Sequence, residues 1–402
     1  MLGSLIKKER IAQNMSQESL AHGICTPSYL SKIENGQVEC SEAMIEQLFC
    51  ALDLTYLQDE ALLDTFQKSF QEYFEAYLHL EYSYLKEQHQ VLTELAEQVR
   101  ISPLAINSLL ALALTTEKPA LLAELEIYHG LFDEKQKLQY HIAKVQLLEK
   151  EEKHAEVQSF LLSILHLDTI GLFHGKLAWS YMTNGEYHRS LPYAQKAYDL
   201  YALQACIQGM YDMSHQMAFS HSNLFHLAEM EHYFLLSKRL QRYLPDTTST
   251  ITVPYNLGAT YLCTGDYAKA KQYLEEAWNL MQENEKGDTD PWISQKLTFL
   301  YIHSGDLEQA KIFFAQIPDA FHVVLDQSKK LLSFMLGNPQ YQHKEEYVQL
   351  LISCLELSEK WLHRGFVDFY ARYLVEAFIA KRQYKRALEY TQKYNISQIN
   401  IN

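Results

Sequence analysis

Residues Tyr255 to Ala277 read YNLGATYLCTGDYAKAKQYLEEA, two helical patterns that meet at Gly265-Asp266. Counted from Ile251, the seventh and eighth places hold Leu257 and Gly258, the eleventh Tyr261, the twentieth Ala270 and the twenty-fourth Leu274. Small residues at the eighth and twentieth places let two helices touch, large ones fill the gap between them, and glycine turns the chain. Such a hairpin buries only one side of itself, so it needs neighbours of its own kind.

Those neighbours are present. Blocks beginning at Gly171, Tyr211, Ile251 and Pro291 follow one another every 40 residues. Their seventh and eighth places carry Leu177-Ala178, Met217-Ala218, Leu257-Gly258 and Leu297-Thr298. Tyr181, His221, Tyr261 and Tyr301 fall at the eleventh, and Gly185, Gly265 and Gly305 at the fifteenth. Further blocks fit around Lys144 to Ile164 and around Leu374 to Tyr394. The pattern strongly resembles the tetratricopeptide repeat. Its usual period is about 34 residues, so the longer spacing implies longer helices or linkers, such as those at 240–251 and 281–291.

Composition agrees with an all-helical chain. Glycine (14) and proline (9) are scarce among 402 residues, helix formers replace them, and alternating Val/Ile/Thr runs are almost absent. Six cysteines without a paired C-x-x-C spacing suit buried thiols in a reducing compartment. No apolar run reaches membrane-span length and no leader pattern opens the chain, so a cytoplasmic location is expected.

The formal net charge of −15 argues against nucleic acid as a partner for the chain as a whole. Its distribution reverses that at the start: four lysines and arginines face three acids up to residue 38, and the acids accumulate behind them. One such domain makes few phosphate contacts, and a homodimer is the usual remedy.

Within that segment lies SQESLAHGICTPSYLSKIENG, Ser16 to Gly36. Ser16 caps one short helix, Thr26 or Pro27 begins the next and Asn35-Gly36 ends it. Leu20, Ala21, Ile24, Leu30 and Ile33 pack the two at a steep angle, so the second can project into a major groove. The pattern resembles the helix-turn-helix of the phage-repressor (XRE) type. That resemblance implies an ion pair between Arg10 and Glu34, a phosphate contact from Gln17, and DNA contacts from Thr26, Pro27, Ser28, Tyr29 and Lys32. The bland alternatives are a surface ion pair and an ordinary polar residue in a first helical turn.

The turn GICTPSYLSKIENG is one residue shorter than the commonest phage-repressor spacing. With the repeats behind it, the chain resembles the RRNPP group of peptide-pheromone receptors over its whole length, most like the NprR/PlcR type. The expected domains are a DNA-binding helix-turn-helix at 1–60, a connecting helix at 61–95, and a right-handed tetratricopeptide-repeat superhelix at 96–402. The group implies a cytoplasmic quorum-sensing transcription regulator that binds promoter DNA and is controlled by a short signalling peptide. Alternatives are a repeat surface that docks a phosphorelay protein, and a prophage regulator of the arbitrium type.

In stacked helix pairs the first helix of each pair lines the concave side. Those positions hold Lys176, Trp179, His215, Gln216, Phe219, Asn223, Tyr255, Asn256, Trp292, Gln295, Lys296 and Phe299. Asparagine amides can pair with an extended peptide backbone, aromatic side chains can wall its pockets, and Lys176 or Lys296 can hold a carboxylate. Repeat packing is the competing explanation for each. No H-E-x-x-H, phosphate-binding glycine loop or nucleophile elbow occurs. The chain is therefore expected to be no enzyme and to need no metal or cofactor.

Overall fold

The computed structural model describes residues 2–244, 251–283, 291–360, 364–394 and 396. The described residues form helices and no strand. They divide into two compact units, Met1–Phe173 and His174–Asn402.

The first unit opens with α1 (Leu2–Ala12), α2 (Gln17–Ala21), α3 (Pro27–Glu34) and α4 (Glu42–Ala51). Ser16 Oγ accepts from the Ser19 amide at 3.0 Å, and Thr26 Oγ1 from the Tyr29 amide at 3.2 Å. Both starts are thus capped by the side chains the sequence offers. The left-handed backbone in the five-residue turn between α2 and α3 falls on Gly23, at φ +75°, where the lack of a Cβ makes it inexpensive. Leu5, Ile6, Leu20, Ala21, Leu30, Ile33, Ile45, Leu48 and Phe49 close the core of this small domain.

The expected single connecting helix is two helices, α5 (Glu60–Leu78) and α6 (Tyr82–Gln98), packed on each other. His79 caps the first and Leu80 turns left-handed at φ +58°. Folding back buries Phe66, Phe70, Tyr73 and Phe74, aromatic surface that one extended helix would leave in water. After it come α7 (Ala105–Thr116), α8 (Pro119–Glu126), α9 (Glu134–Lys150) and α10 (His154–Ile164), each packed on a neighbour. The helix-turn-helix is built into this unit. Ala105 belongs to its core, Ile101 packs against it, and the Leu57 amide donates to Ile101 O at 2.9 Å. Glu124 on α8 receives Lys8 Nζ of α1 at 2.5 Å and Arg100 Nη2 at 3.0 Å.

The repeat blocks appear as the pairs α11 (Leu172–Thr183) with α12 (Tyr187–Leu203), α13 (Ile207–Asn223) with α14 (Leu227–Gln241), α15 (Thr252–Thr264) with α16 (Tyr267–Glu283), and α17 (Pro291–His303) with α18 (Leu307–Phe314). The last helices are α19 (Val323–Gly337), α20 (Glu345–Lys360), α21 (Arg364–Ala380) and α22 (Tyr384–Lys393). A Cβ on Gly258 would sit 2.6 Å from Leu274 Cγ and 2.9 Å from the Leu274 amide, so α15 and α16 touch where the repeat pattern requires a small residue. Long helices account for part of the 40-residue spacing, since α12, α13 and α16 each have 17 residues. The linker segments 245–250 and 284–290 lie outside the described residues.

Candidate functional site

Two sites are on view, one in each unit. In the first, α3 presents Thr26, Pro27, Ser28 and Lys32 to solvent, while Tyr29 is half-buried against the domain core. Behind them Arg10 Nε meets Glu34 Oε1 at 2.6 Å and Arg10 Nη2 meets Glu34 Oε2 at 3.0 Å, a forked pair that is buried on both sides. Arg10 Nη1 also donates to Met15 O at 2.7 Å. Burial pushes the Glu34 carboxyl up, but hydrogen bonds from Arg10 and Gln17 and the charge of Arg10 outweigh it, leaving the carboxyl below its ordinary range. Gln17 is half-buried beside this pair. Its Nε2 donates to Glu34 Oε2 at 2.7 Å, so the amide serves the buried carboxylate first, because a buried charge needs every donor it can reach.

In the repeat unit a cavity of about 130 Å³ opens where α13, α15, α17 and α21 converge. Five of the expected peptide contacts line it: Phe219, Asn223, Tyr255, Asn256 and Lys296. Asn223 Nδ2 donates to Phe219 O at 2.8 Å, which leaves its buried Oδ1 without a partner. The Asn256 carboxamide makes no hydrogen bond with the described residues. Lys296 is buried, with Nζ 4.1 Å and 4.0 Å from the ring centroids of Phe366 and Phe369. Burial pulls its ammonium down to about 7.

The other seven expected contacts lie elsewhere. Gln295 Nε2 bonds Ser328 Oγ at 2.6 Å and Tyr370 OH at 3.1 Å, and Phe299 stacks with Tyr373 and meets Phe369 edge-on at 5.1 Å. Both are fully buried, because α21 lies over the face of α17 that an open groove would expose to solvent. Trp292 is half-buried against His322 and Phe366. Gln216 is buried and donates to Ser190 Oγ at 3.2 Å, holding two repeats together. His215 packs edge-on to Phe234 at 5.4 Å, and burial brings its imidazole down to about 4. Lys176 and Trp179, on α11, do not line the cavity, and Trp179 is exposed.

Sequence reasoning missed Phe225 and the whole contribution of α21. At the repeat turns Gly185, Gly265 and Gly305 adopt φ near +80°, and in the second block Phe225 takes that place at φ +57°. A bulky residue there costs on the order of 1 kcal/mol. Its ring lines the cavity and carries the Arg372 guanidinium 4.1 Å away. The signal on α21 was legible: from Phe366 to Ala380 the charged residues are Asp368, Arg372 and Glu376, spaced four apart in an otherwise apolar helix.

Among the described residues no group of three His, Cys, Asp or Glu side chains could hold a metal, and no helix is long and apolar enough to cross a membrane.

Comparison with known proteins separates the two parts of the chain. Residues 6–57 match the helix-turn-helix family and residues 262–331 the tetratricopeptide-repeat family. No curated protein matches the sequence. Among solved structures, the apo form of RapI is similar with a TM-score of 0.62 at 12% identity, covering 83% of this chain and 99% of that one. A Rap protein complexed with Competence and Sporulation Factor has a TM-score of 0.57 at 14% identity, covering 83% and 97%. Aspartyl phosphate phosphatase F from Bacillus subtilis has a TM-score of 0.50 at 17% identity, covering 98% and 93%. At these identities the likeness is one of fold. The chain therefore combines an XRE-type helix-turn-helix with tetratricopeptide repeats, the combination expected of the RRNPP group, and shares the fold of that group's Rap proteins.

Proposed function

We propose that this protein is a cytoplasmic transcription regulator that binds promoter DNA as a homodimer and is controlled by a short signalling peptide held in the repeat cavity, as in quorum sensing. It performs no catalysis in this reading. The observation that carries it is the presence in one chain of an outward-facing α3 and a cavity whose Asn223, Asn256 and Lys296 have polar groups left for a ligand. Thr26, Pro27 and Ser28 stand at the exposed start of α3, where helix-turn-helix proteins meet base edges, and Lys32 is exposed in its last turn. Lys32 can bond guanine, and Tyr29 supports the helix from within.

The test uses the full-length chain on labelled promoter fragments over a range of salt concentrations. Specific binding that Ser28→Glu with Lys32→Glu abolishes, without loss of fold, supports the reading. Equal affinity for all fragments at every salt would sink it.

A second reading is favoured by the fold shared with aspartyl phosphate phosphatase F over 98% of the chain. In it the repeats and the helices before them dock a phosphorelay protein. Docking would survive the α3 substitutions, and gene regulation would not.

A further inference from the structure

A second cavity, of about 460 Å³, adjoins the first, and Cys263 lines both. Its walls come from the end of α15, the end of α17 and the second half of α21, with Tyr267, Gln342 and Tyr347 beside them. Unlike the first cavity, which is lined by Lys296, this one holds Glu376, Arg372, His303 and Tyr373. His303 Nε2 and Tyr373 OH are buried without a partner. Water reaches Glu376 across the cavity, and no arginine or lysine nitrogen of the described residues pairs with it. Glu376 is exposed where it lines the cavity, and the protein around it raises its carboxyl, an effect that the positive charge of Arg372 partly opposes.

The two ends mirror each other. Lys296 has no carboxylate partner among the described residues. Asp368 lines the same cavity, but it has an interaction of its own and does not pair with Lys296. Arg372, between the ends, is set over Phe225. Buried Lys296 costs stability unless something of opposite sign completes it, while exposed Glu376 offers a carboxylate to the second cavity without a cation of the described residues paired with it. Unpaired charges of opposite sign at the two ends of one groove are what a ligand with two charged groups would neutralise.

We propose that the two cavities form one directional clamp, in which Lys296 receives an anionic group of a peptide and Glu376 a cationic group, so that the peptide binds in a single orientation. The proposal rests on the reading of the repeat unit as a peptide receptor. The helix geometry sets the separation. Phe366 and Phe369, against which Lys296 sits, precede Glu376 on α21 by ten and seven residues, about 10–15 Å along the axis. An extended peptide covers that in about three to five residues. The matching ligand is a short peptide with a free amino terminus or basic residue at one end and a free carboxylate or acidic residue at the other. His303, kept neutral by burial that lowers it to about 4, and the Tyr373 hydroxyl supply neutral hydrogen bonds at the Glu376 end.

The test uses positional-scanning pools of synthetic hexapeptides in four forms: both termini free, N-acetylated, C-amidated and doubly blocked. Binding to the full-length chain is read by fluorescence anisotropy. Pools with a positive group at one end and a negative group at the other should bind at least tenfold more tightly than doubly blocked neutral pools. Glu376→Gln should erase the preference for the positive end alone, and Lys296→Met the preference for the negative end alone. Glu376→Lys should reverse the preference at its end, a gain that a purely structural role would not produce. Peptide binding with no charge preference, or preferences that these variants leave unmoved, would overturn the clamp and leave the receptor reading intact. Failure of every pool to bind the wild-type chain would overturn both.

Discussion

In the helix-turn-helix, Arg10 and Glu34 are buried against each other through two short hydrogen bonds, and Gln17 and Met15 O complete the set. In the repeat unit Lys296 is as well buried, yet its neighbours are two aromatic rings, and Glu376 faces a cavity with no cation paired to it. The same residue types thus stand in two opposite conditions. A buried charge whose donors and acceptors are all supplied from within holds a domain together. One left incomplete strains the fold and marks where something else binds.

The comparison can be broken most forcefully at its satisfied end. Arg10→Ala leaves the Glu34 carboxylate buried without its main partner, and the loss of stability should be about 3–5 kcal/mol, measured by urea denaturation. The double variant Arg10→Met with Glu34→Leu should recover most of it. If Arg10→Ala costs nothing, the pair is not structural.

Lys296→Met should act in the other direction. Its ammonium titrates at about 7 in the folded chain against about 10.5 unfolded. The native lysine therefore gives up stability as pH falls from about 10.5 to about 7. Methionine should raise stability by on the order of 3 kcal/mol at pH 7, with no gain above the unfolded value. A melting temperature that drops at pH 7 would contradict the unpaired state of Lys296.

Glu376→Gln sharpens the same point by its pH profile. The folded carboxyl at about 7 lies above the ordinary 4.5, so its contribution is present below pH 4.5 and is lost as pH rises through 7. The variant should melt higher than wild type at pH 8 and equally at pH 4. Equal melting at both would show that Glu376 is solvated.

The smallest effect on stability is expected at the recognition helix. Lys32→Ala removes an exposed side chain and should change stability by less than about 0.5 kcal/mol. If Lys32 meets a phosphate, the slope of log affinity against log salt should fall by about 1 per site occupied. An unchanged slope would remove Lys32 from the phosphate contacts.

The helix-turn-helix was readable because its determinants lie close together in sequence. Ser16, Thr26 and Pro27 set two helix starts, and Leu20, Ala21, Leu30 and Ile33 fall on the faces that meet. The tetratricopeptide repeats were readable for a related reason, since a small residue at the eighth place (Ala178, Ala218, Gly258) and a turn glycine at the fifteenth (Gly185, Gly265, Gly305) each recur in three of the four blocks. The connecting helix was misread where no proline or glycine marks the break at Leu80, because burial of Phe66, Phe70 and Phe74 decides it. The lining of the first cavity was legible in part. The rule that the first helix of each pair faces an open groove placed Phe219, Asn223, Tyr255, Asn256 and Lys296 on one cavity. The other seven lie elsewhere, Gln295 and Phe299 because α21 covers them.

What the sequence determined alone is the class of fold, the repeat and the capped starts of α2 and α3, products of short-range spacing, while the Arg10–Glu34 pair followed from the helix-turn-helix resemblance and its burial from the structure. What only the tertiary structure decided is which concave residues remain open. Gln295 meets Tyr370 across 75 residues of chain, and no periodicity within one repeat reports where α21 will lie. Its packing closes one part of the groove with aromatic rings, and its Asp368, Arg372 and Glu376 turn the rest into a charged cleft.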